Sequence, residues 1–498
     1  MGGASGLSAQ FETARDLLRN NRPAEALDGL DTLLARDPGY LPALVSRGSA
    51  LLALGRLDEA EATWRQALAS HPGQDVVLWN LGMLLIERER HAEALGLADR
   101  TLAAAPGHAR ALLLRGDALA GLSRFEEAVA AFQSVPRQSE AAADALTKEA
   151  LAHASLQRYD TALSLLNQVV ARRPDDLFAT FRRAIVRLAT RDFGGWKDYE
   201  ARWRLPFFQV RSGGAVTREL APRLTLAPTP DDLARQRVLL LAEQGIGDQV
   251  MFASLIPDLT RIAQAVACVC DERLIGLLRA SFPGVGFAGP RQARVALGSI
   301  DRVVAMGSLG GAFRPTEDAF PGTPYLTPRP EVRARWSERL GPRTRPLRVG
   351  LSWRGGAPTT RRSLRSLDWP QLAPILDLSG CEFVSLQYGD VTADLAAAPV
   401  PIRVFPAAEI DDFEDLSALA AELDVVVSVQ TALVHLCGAI GQTCLTLIPH
   451  NPEWRYTASG STMPWYRSVR TFRQAQPGDW APVVAQVAET LRARLSAA

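Results

Sequence analysis

The chain has 498 residues, 47% of them hydrophobic and 22% charged, with a formal net charge of +1. That length exceeds what one hydrophobic core can organise, so several domains are expected. The near-neutral balance gives no electrostatic case for nucleic acid or an anionic membrane surface as partner. No stretch approaches the roughly 18 uninterrupted apolar residues of a membrane span. The start, "MGGASGLSAQ", lacks a basic segment followed by an apolar one, so no secretory signal is expected and the location expected is cytoplasmic.

Five cysteines, Cys268, Cys270, Cys381, Cys437 and Cys444, sit in apolar runs. Few and odd in number, they read as buried thiols rather than a disulfide framework. Cys268 and Cys270 are expected on opposite faces of a strand and so not to share a metal; no metal or other cofactor is expected.

The first 200 residues repeat. Arg22, Arg56, Arg90, Arg124 and Arg158 fall 34 residues apart, and four positions after each comes Ala26, Ala60, Ala94, Ala128 or Ala162. Pro38, Pro72, Pro106 and, two periods later, Pro174 keep the same step, as do Gly48, Gly82 and Gly116. This is what a stack of helix hairpins requires: small residues where helices approach, prolines where the second helix ends. The pattern resembles the tetratricopeptide repeat, with about five units over residues 8 to 175. In the fourth unit, "SVPRQSE" brings its proline early, at Pro136, and an altered helix end is expected there. A sixth unit begins at "DDLFATFRRAIVRLAT" and then departs into "DFGGWKDYEARWRLP", read as a capping helix that docks the array onto the C-terminal part of the chain. Trp196, Tyr199 and Trp203 are read there as packing residues. An array of this kind offers an extended surface for a protein partner.

Residues 205–235 are rich in Pro, Gly and Thr and read as a linker. Short apolar runs then alternate with helical segments: "RVLLLAEQ", "AVACVCD" and "RVVAMGSL", then, after the Pro/Arg-rich "GPRTRP", "LRVGLSW", "CEFVSLQYG", "DVVVSV" and "CLTLIP". Such alternation predicts two doubly wound α/β lobes of parallel strands. The fold class expected is therefore an α-solenoid followed by two α/β lobes. The boundaries expected are 1–204 for the repeats and their cap, 205–235 for the linker, and 236–330 and 345–498 for the lobes. In doubly wound sheets ligands sit beyond the carboxyl ends of the strands, so the loops there are the candidates.

Four such loops are loaded. In "EQGIGDQ", Gly245 and Gly247 allow a tight loop, and Asp248 either caps the following helix or faces a ligand. Gln244 is a possible substrate contact. In "SWRGGAPTTRRSLRS", Arg354, Arg361, Arg362 and Arg365 crowd twelve residues without an acid, and arginine forks suit phosphate. Gln387 and Tyr388 follow a buried run and could touch substrate or form a polar turn. In "SVQTALVHLCGAIG", Ser428 and Thr431 flank a strand-to-helix turn, a natural anion site, with His435 one turn on.

Taken together, "EQGIGDQVMF", "VGLSWRGG", "RSLDW", "LDVVVSVQTALVHLCGAIG" and "WYRSVRTFRQ" resemble bacterial tetratricopeptide-repeat glycosyltransferases, whose C-terminal part looks like the heptosyltransferase-type GT-B fold. The resemblance covers nearly the whole chain. It implies a nucleotide-sugar donor and a protein acceptor recruited by the repeats, flagellin among the candidates. Asp248 matches the family's general base on the acceptor hydroxyl. Ser428, Gln430, Thr431 and His435 fall in the donor-side motif, where Thr431 and His435 match phosphate-side residues. Gly245, Gly247 and one of Arg354, Arg361 and Arg362 join the donor- or phosphate-binding set. Gln430 departs from the pattern, which usually has Asp; an amide cannot act as anion or base, but it can hydrogen-bond. Two alternatives stay open: an envelope-saccharide transferase of heptosyltransferase type, and a non-catalytic scaffold whose transferase lobes have decayed.

Overall fold

In the computed structural model, which describes residues 2–205, 220–290, 300–356 and 362–497, the 34-residue period becomes paired helices. They are α1 (Gly2–Arg19), α2 (Pro23–Arg36), α3 (Leu41–Ala53), α4 (Leu57–Ser70), α5 (Asp75–Glu87), α6 (His91–Ala104), α7 (Ala109–Gly121), α8 (Phe125–Gln133), α9 (Ala142–Ser155), α10 (Tyr159–Arg172) and α11 (Leu177–Ala189). The glycines of the period are packing holes. A Cβ at Gly48 would collide with the Trp64 ring, and one at Gly116 with the Phe132 ring, each sixteen residues ahead. At Gly82 the residue sixteen ahead is the small Ala98, and Leu114 of the next unit fills the space instead. The arginines open the second helix of each pair, and most grip a glutamate three residues on: Arg56 with Glu59, Arg90 with Glu93, Arg124 with Glu127; Arg158 bonds Glu126 of the unit before it instead. The early Pro136 has the expected effect, since α8 stops after nine residues where its counterparts run to fourteen.

One periodic feature is structural only. Asn21, Gly55, Glu89, Ser123, Gln157 and Arg191 all have φ between 56° and 74°, again 34 residues apart. Each closes the turn inside a hairpin, where a left-handed residue lets the last carbonyls of the first helix be bonded; Arg56 N–H, for example, donates to Leu51 O. Glycine favours this conformation most, yet it occupies the position once.

The chain forms two compact units, Met1–Val169 and Val170–Ala498. The boundary thus falls near 169 rather than the expected 204. The reason is packing: Phe181, Leu188, Trp196, Tyr199 and Trp203 are buried in one core with Val250, Phe252 and Trp454 of the α/β region.

That region holds two sheets. The first has the order β3-β2-β1-β4, all parallel, from β1 (Arg237–Leu241), β2 (Ala265–Val269), β3 (Gly286–Ala288) and β4 (Arg302–Ala305). The second contains β5 (Leu347–Ser352), β6 (Cys381–Ser385), β7 (Ile402–Arg403), β8 (Val425–Val429), β9 (Cys444–Ile448), β10 (Thr462–Met463) and β11 (Tyr466–Arg473). Its order is β10-β11-β9-β8-β5-β6-β7, parallel except for β10 against β11. The apolar runs expected as strands are β1, β2, β4, β5, β6, β8 and β9. The helix Pro330–Leu340 belongs to the second lobe, where Arg329, Arg333 and Trp336 bond Glu414, Glu422 and Asp415. Of the expected linker, residues 206–219 lie outside the described residues; Leu224 makes a parallel bridge to Val303 beside β4.

All five thiols are free and buried. The opposite-face expectation for Cys268 and Cys270 is corrected: residues two apart on a strand share a face, and both lie in the same core. Among the described residues no helix is long and apolar enough to cross a membrane.

Candidate functional site

Each sheet reverses direction of winding at one place. In the first, β1 lies between β2 and β4; in the second, β5 and β8 are neighbours while β6 and β9 lead outward on either side. Loops diverge at such switch points and open a crevice beyond the strand ends. The loop after β1 is the Gly loop, and the segments after β5 and β8 are the arginine-rich stretch and "QTALVH".

The two lobes bring these loops together. Gly247 lies in the first turn of the helix Ile246–Ala253, and a Cβ there would sit 3.0 Å from His435 Cδ2 and 3.4 Å from Ala432 Cα. Only glycine permits that approach without a shift. Asp248 accepts a hydrogen bond from the Gly245 N–H (3.2 Å), the capping role expected of it. It also pairs with Arg455, from the segment after β9. Arg455 donates to Gln244 Oε1 at 3.2 Å, and Gln244 Nε2 donates to the Tyr199 hydroxyl. Burial raises the Asp248 carboxyl above its ordinary value, and the Arg455 charge opposes that rise. A buried carboxylate held beside a cation is a group placed to accept a proton.

On the other lobe, Thr431 is the N-cap of the helix Ala432–Ile440, but its side chain does not cap it; Thr431 Oγ1 faces Ser428 Oγ at 3.3 Å. The first-turn N–H groups are therefore left without a side-chain acceptor, the arrangement that receives anions. His435 is buried, with Nδ1 3.3 Å from the Tyr466 hydroxyl. Burial, helped by the Arg455 charge, lowers its pKa to about 3, so it is a neutral imidazole here. Gln430 is 1% exposed, and neither its amide oxygen nor its nitrogen has a hydrogen-bond partner among the described residues. A buried amide left in this way is costly, which marks it out from the bonded amides nearby.

The remaining candidates separate. Gln387 is turned inward: its Oε1 accepts from Ser352 Oγ (3.1 Å), Trp353 N–H (3.0 Å) and Arg354 N–H (2.8 Å). It braces the end of β5, with Nε2 donating to Arg354 O (3.3 Å) and Tyr388 O (3.4 Å), so the polar-turn alternative describes its contacts here. Tyr388 beside it is 52% exposed. The Arg354 guanidinium lies 2.9 Å from the Asp394 carboxylate and donates to the Asp390 carbonyl (2.6 Å). Arg361 lies outside the described residues, and Arg362 opens the short turn Arg362–Arg365. The arginine brought to the end of β8 is instead Arg365, whose Nη1 donates to Gln430 O at 3.3 Å. It crosses Gly355, where a Cβ would lie 2.7 Å from Arg365 Cβ. Arg455 carries no signal in the sequence. It stands 207 residues from Asp248 in a loop without a motif, and no spacing argument could have joined them.

A cavity of about 640 Å³ lies elsewhere, lined by Ser254, Asp258, Arg314, Phe320, Pro324 and Trp465 among others. It contains none of the loop residues above. We place the candidate site at the loops, because buried charged groups and the uncapped helix end converge there from both lobes.

The tetratricopeptide repeat model matches residues 11–75, 80–144 and 147–195. Protein FlbA of Caulobacter vibrioides is 31% identical over 349 residues, which cover 64% of this chain and 56% of that protein. The chain therefore spans little more than half the length of this relative. Among solved structures, a tetratricopeptide repeat protein from Parabacteroides merdae is 18% identical and covers 46% of this chain and 84% of its own, with a TM-score of 0.34. MamA from Desulfovibrio magneticus RS-1 is 22% identical and covers 34% of this chain and 96% of its own, with a TM-score of 0.30. The chain thus carries tetratricopeptide repeats in its N-terminal part, followed by a region of parallel sheets and helices.

Proposed function

We propose that the α/β unit is a GT-B-type glycosyltransferase that moves a sugar from a nucleotide donor to a hydroxyl of a protein held by the repeats, with flagellin the first acceptor to test. The observation that carries this reading is the approach of the loop that bears Asp248, through Gly247, to Ala432 and His435 of the other lobe, at the switch point of each sheet. Glycosyl transfer needs a stabiliser for the charge growing on the departing phosphate and an acceptor for the hydroxyl proton. The uncapped N–H groups at Thr431 and the nearby Arg365 supply the first. Asp248 supplies the second, held in place by Arg455, a contribution of roughly 10²–10⁴ in rate. Neutral His435 packs against the Gly loop and donates or accepts without adding charge.

Thermal-shift titration with nucleotide sugars is the first test, since a ligand that binds only the folded chain raises its unfolding temperature. Asp248→Ala should then abolish transfer and leave donor binding in place; full activity in that variant removes Asp248 from the mechanism. Removing residues 1–169 distinguishes a protein glycosyltransferase from an envelope-saccharide enzyme, which would keep its rate on a free acceptor.

A second reading is favoured by one specific feature. Gln430 stands, unbonded, where heptosyltransferase-like enzymes usually have Asp, as a decayed site would have it. On this reading the lobes are a scaffold, and no nucleotide sugar shifts the unfolding temperature.

A further inference from the structure

Resting on the transferase reading of Asp248, we infer that the cap segment 196–202, read from the sequence as a docking element, is a positioning element of the reactive loop. Two independent strands of contact join it to that loop. The first is ionic. Arg202 is fully buried, and its five N–H donors are all taken: Glu243 Oε2 (2.8 Å) and Oε1 (2.6 Å), Glu200 Oε1 (3.0 Å), Tyr199 O (2.9 Å) and Ser308 Oγ (3.0 Å). Glu243 also accepts the Gly307 N–H at 2.7 Å, so this one carboxylate ties the cap to the ends of both β1 and β4, the two sides of the first switch point. Glu243 is the first residue of the Gly loop.

The second strand is a relay of single hydrogen bonds: Tyr199 hydroxyl, Gln244 amide, Arg455 guanidinium, Asp248 carboxylate. Gln244 holds φ at 62°, a left-handed conformation that a non-glycine residue adopts at a cost. Its side chain is bonded on both sides, by Arg455 and to Tyr199. The cap also touches both lobes directly. Trp196 lies over Gly310, where a Cβ would come within 2.8 Å of its ring, and packs edge-on against Phe252, Trp454 and Trp465. Trp454 precedes Arg455. The cap therefore fixes both partners of the Asp248 ion pair: Gln244 and Glu243 on one lobe, the Trp454 and Arg455 segment on the other. Tyr199 and Arg202 act through these groups and touch no reacting atom.

Tyr199→Phe tests this in the full-length chain. It keeps the ring contacts with Phe181 and Trp196 and removes only the hydroxyl facing Gln244. Two readouts are required. Hydrogen exchange of the 244–248 amides should quicken by about three- to tenfold, the size of one lost hydrogen bond, with the helix Ala481–Ala497 unchanged. In the transfer reaction kcat should fall with the donor KM retained, and the acid limb of the pH profile should move up. The charged and titratable groups around Asp248 are Arg455, Glu453, Tyr199, Tyr466 and, across Gly247, neutral His435. Arg455 is the one cation among them, and loosening it lets the carboxyl gain its proton at higher pH. Unchanged exchange at 244–248, or a stationary acid limb in an active enzyme, overturns the inference. A wild-type chain that transfers no sugar overturns the function instead, and the exchange arm still decides whether the cap holds the loop.

Discussion

The arginines that open the repeat helices and two buried arginines of the α/β unit work in opposite ways. In the repeats, Arg56 and Glu59 face each other at the surface, with side chains 45% and 49% exposed, and the same pair recurs at Arg22, Arg90 and Arg124. In the α/β unit, Arg202 and Glu243 are both fully buried, and Arg455 and Asp248 nearly so. A surface pair three residues apart finishes a helix end and is screened by water. A buried pair must satisfy every donor and acceptor or leave a charge stranded. The repeated pairs of Arg22, Arg56 and Arg124 are thus local devices, whereas Arg202 and Arg455 each hold an arrangement between distant segments.

This contrast can be broken by substitution. Arg202→Met strands the Glu243 carboxylate, and chemical unfolding of the α/β unit should show a loss of about 3–5 kcal/mol; a loss no larger than that of an exposed pair would put the two kinds of arginine in one class. Gly48→Ala drives a methyl into the Trp64 ring and should cost the repeat unit about 1–3 kcal/mol by the same assay. Packing holes, not ion pairs, would then be what holds the repeats.

The pH dependence sharpens the comparison further. The folded His435 value of about 3 lies below its ordinary 6.5, so between these values the unfolded chain binds the extra proton. The stability His435 contributes is fully present above about 6.5 and declines as pH falls toward 3. Urea midpoints measured across that window should fall for the wild type and flatten in His435→Gln. Arg56→Ala, the smallest change, should leave the unfolding midpoint and its pH dependence where they are.

The parts legible in the sequence are those whose cause is local. The 34-residue period shows because each unit needs small residues at Gly48, Gly82, Gly116 and the alanines four places after the arginines. Strands β5, β8 and β9 show because a parallel strand covered on both faces is a nearly unbroken apolar run. β11, the longest strand, does not read as one because Arg467, Arg470 and Arg473 interrupt its apolar residues. The left-handed turn of each hairpin is hidden because five of its six occupants are not glycine. At the site, Asp248, Thr431 and His435 are visible as loop chemistry, but Arg455, Tyr199 and Arg202 reach it only through tertiary contact. Gln387 stays open in the sequence because its position after a strand suits a ligand contact equally well as a brace.

The five buried thiols have a practical consequence. All of them lie beyond residue 169, and the repeats contain none. An alkylating reagent can reach sulfur only when the α/β core opens, so labelling rates give a built-in clock for that core alone, silent to whatever the helical repeats are doing.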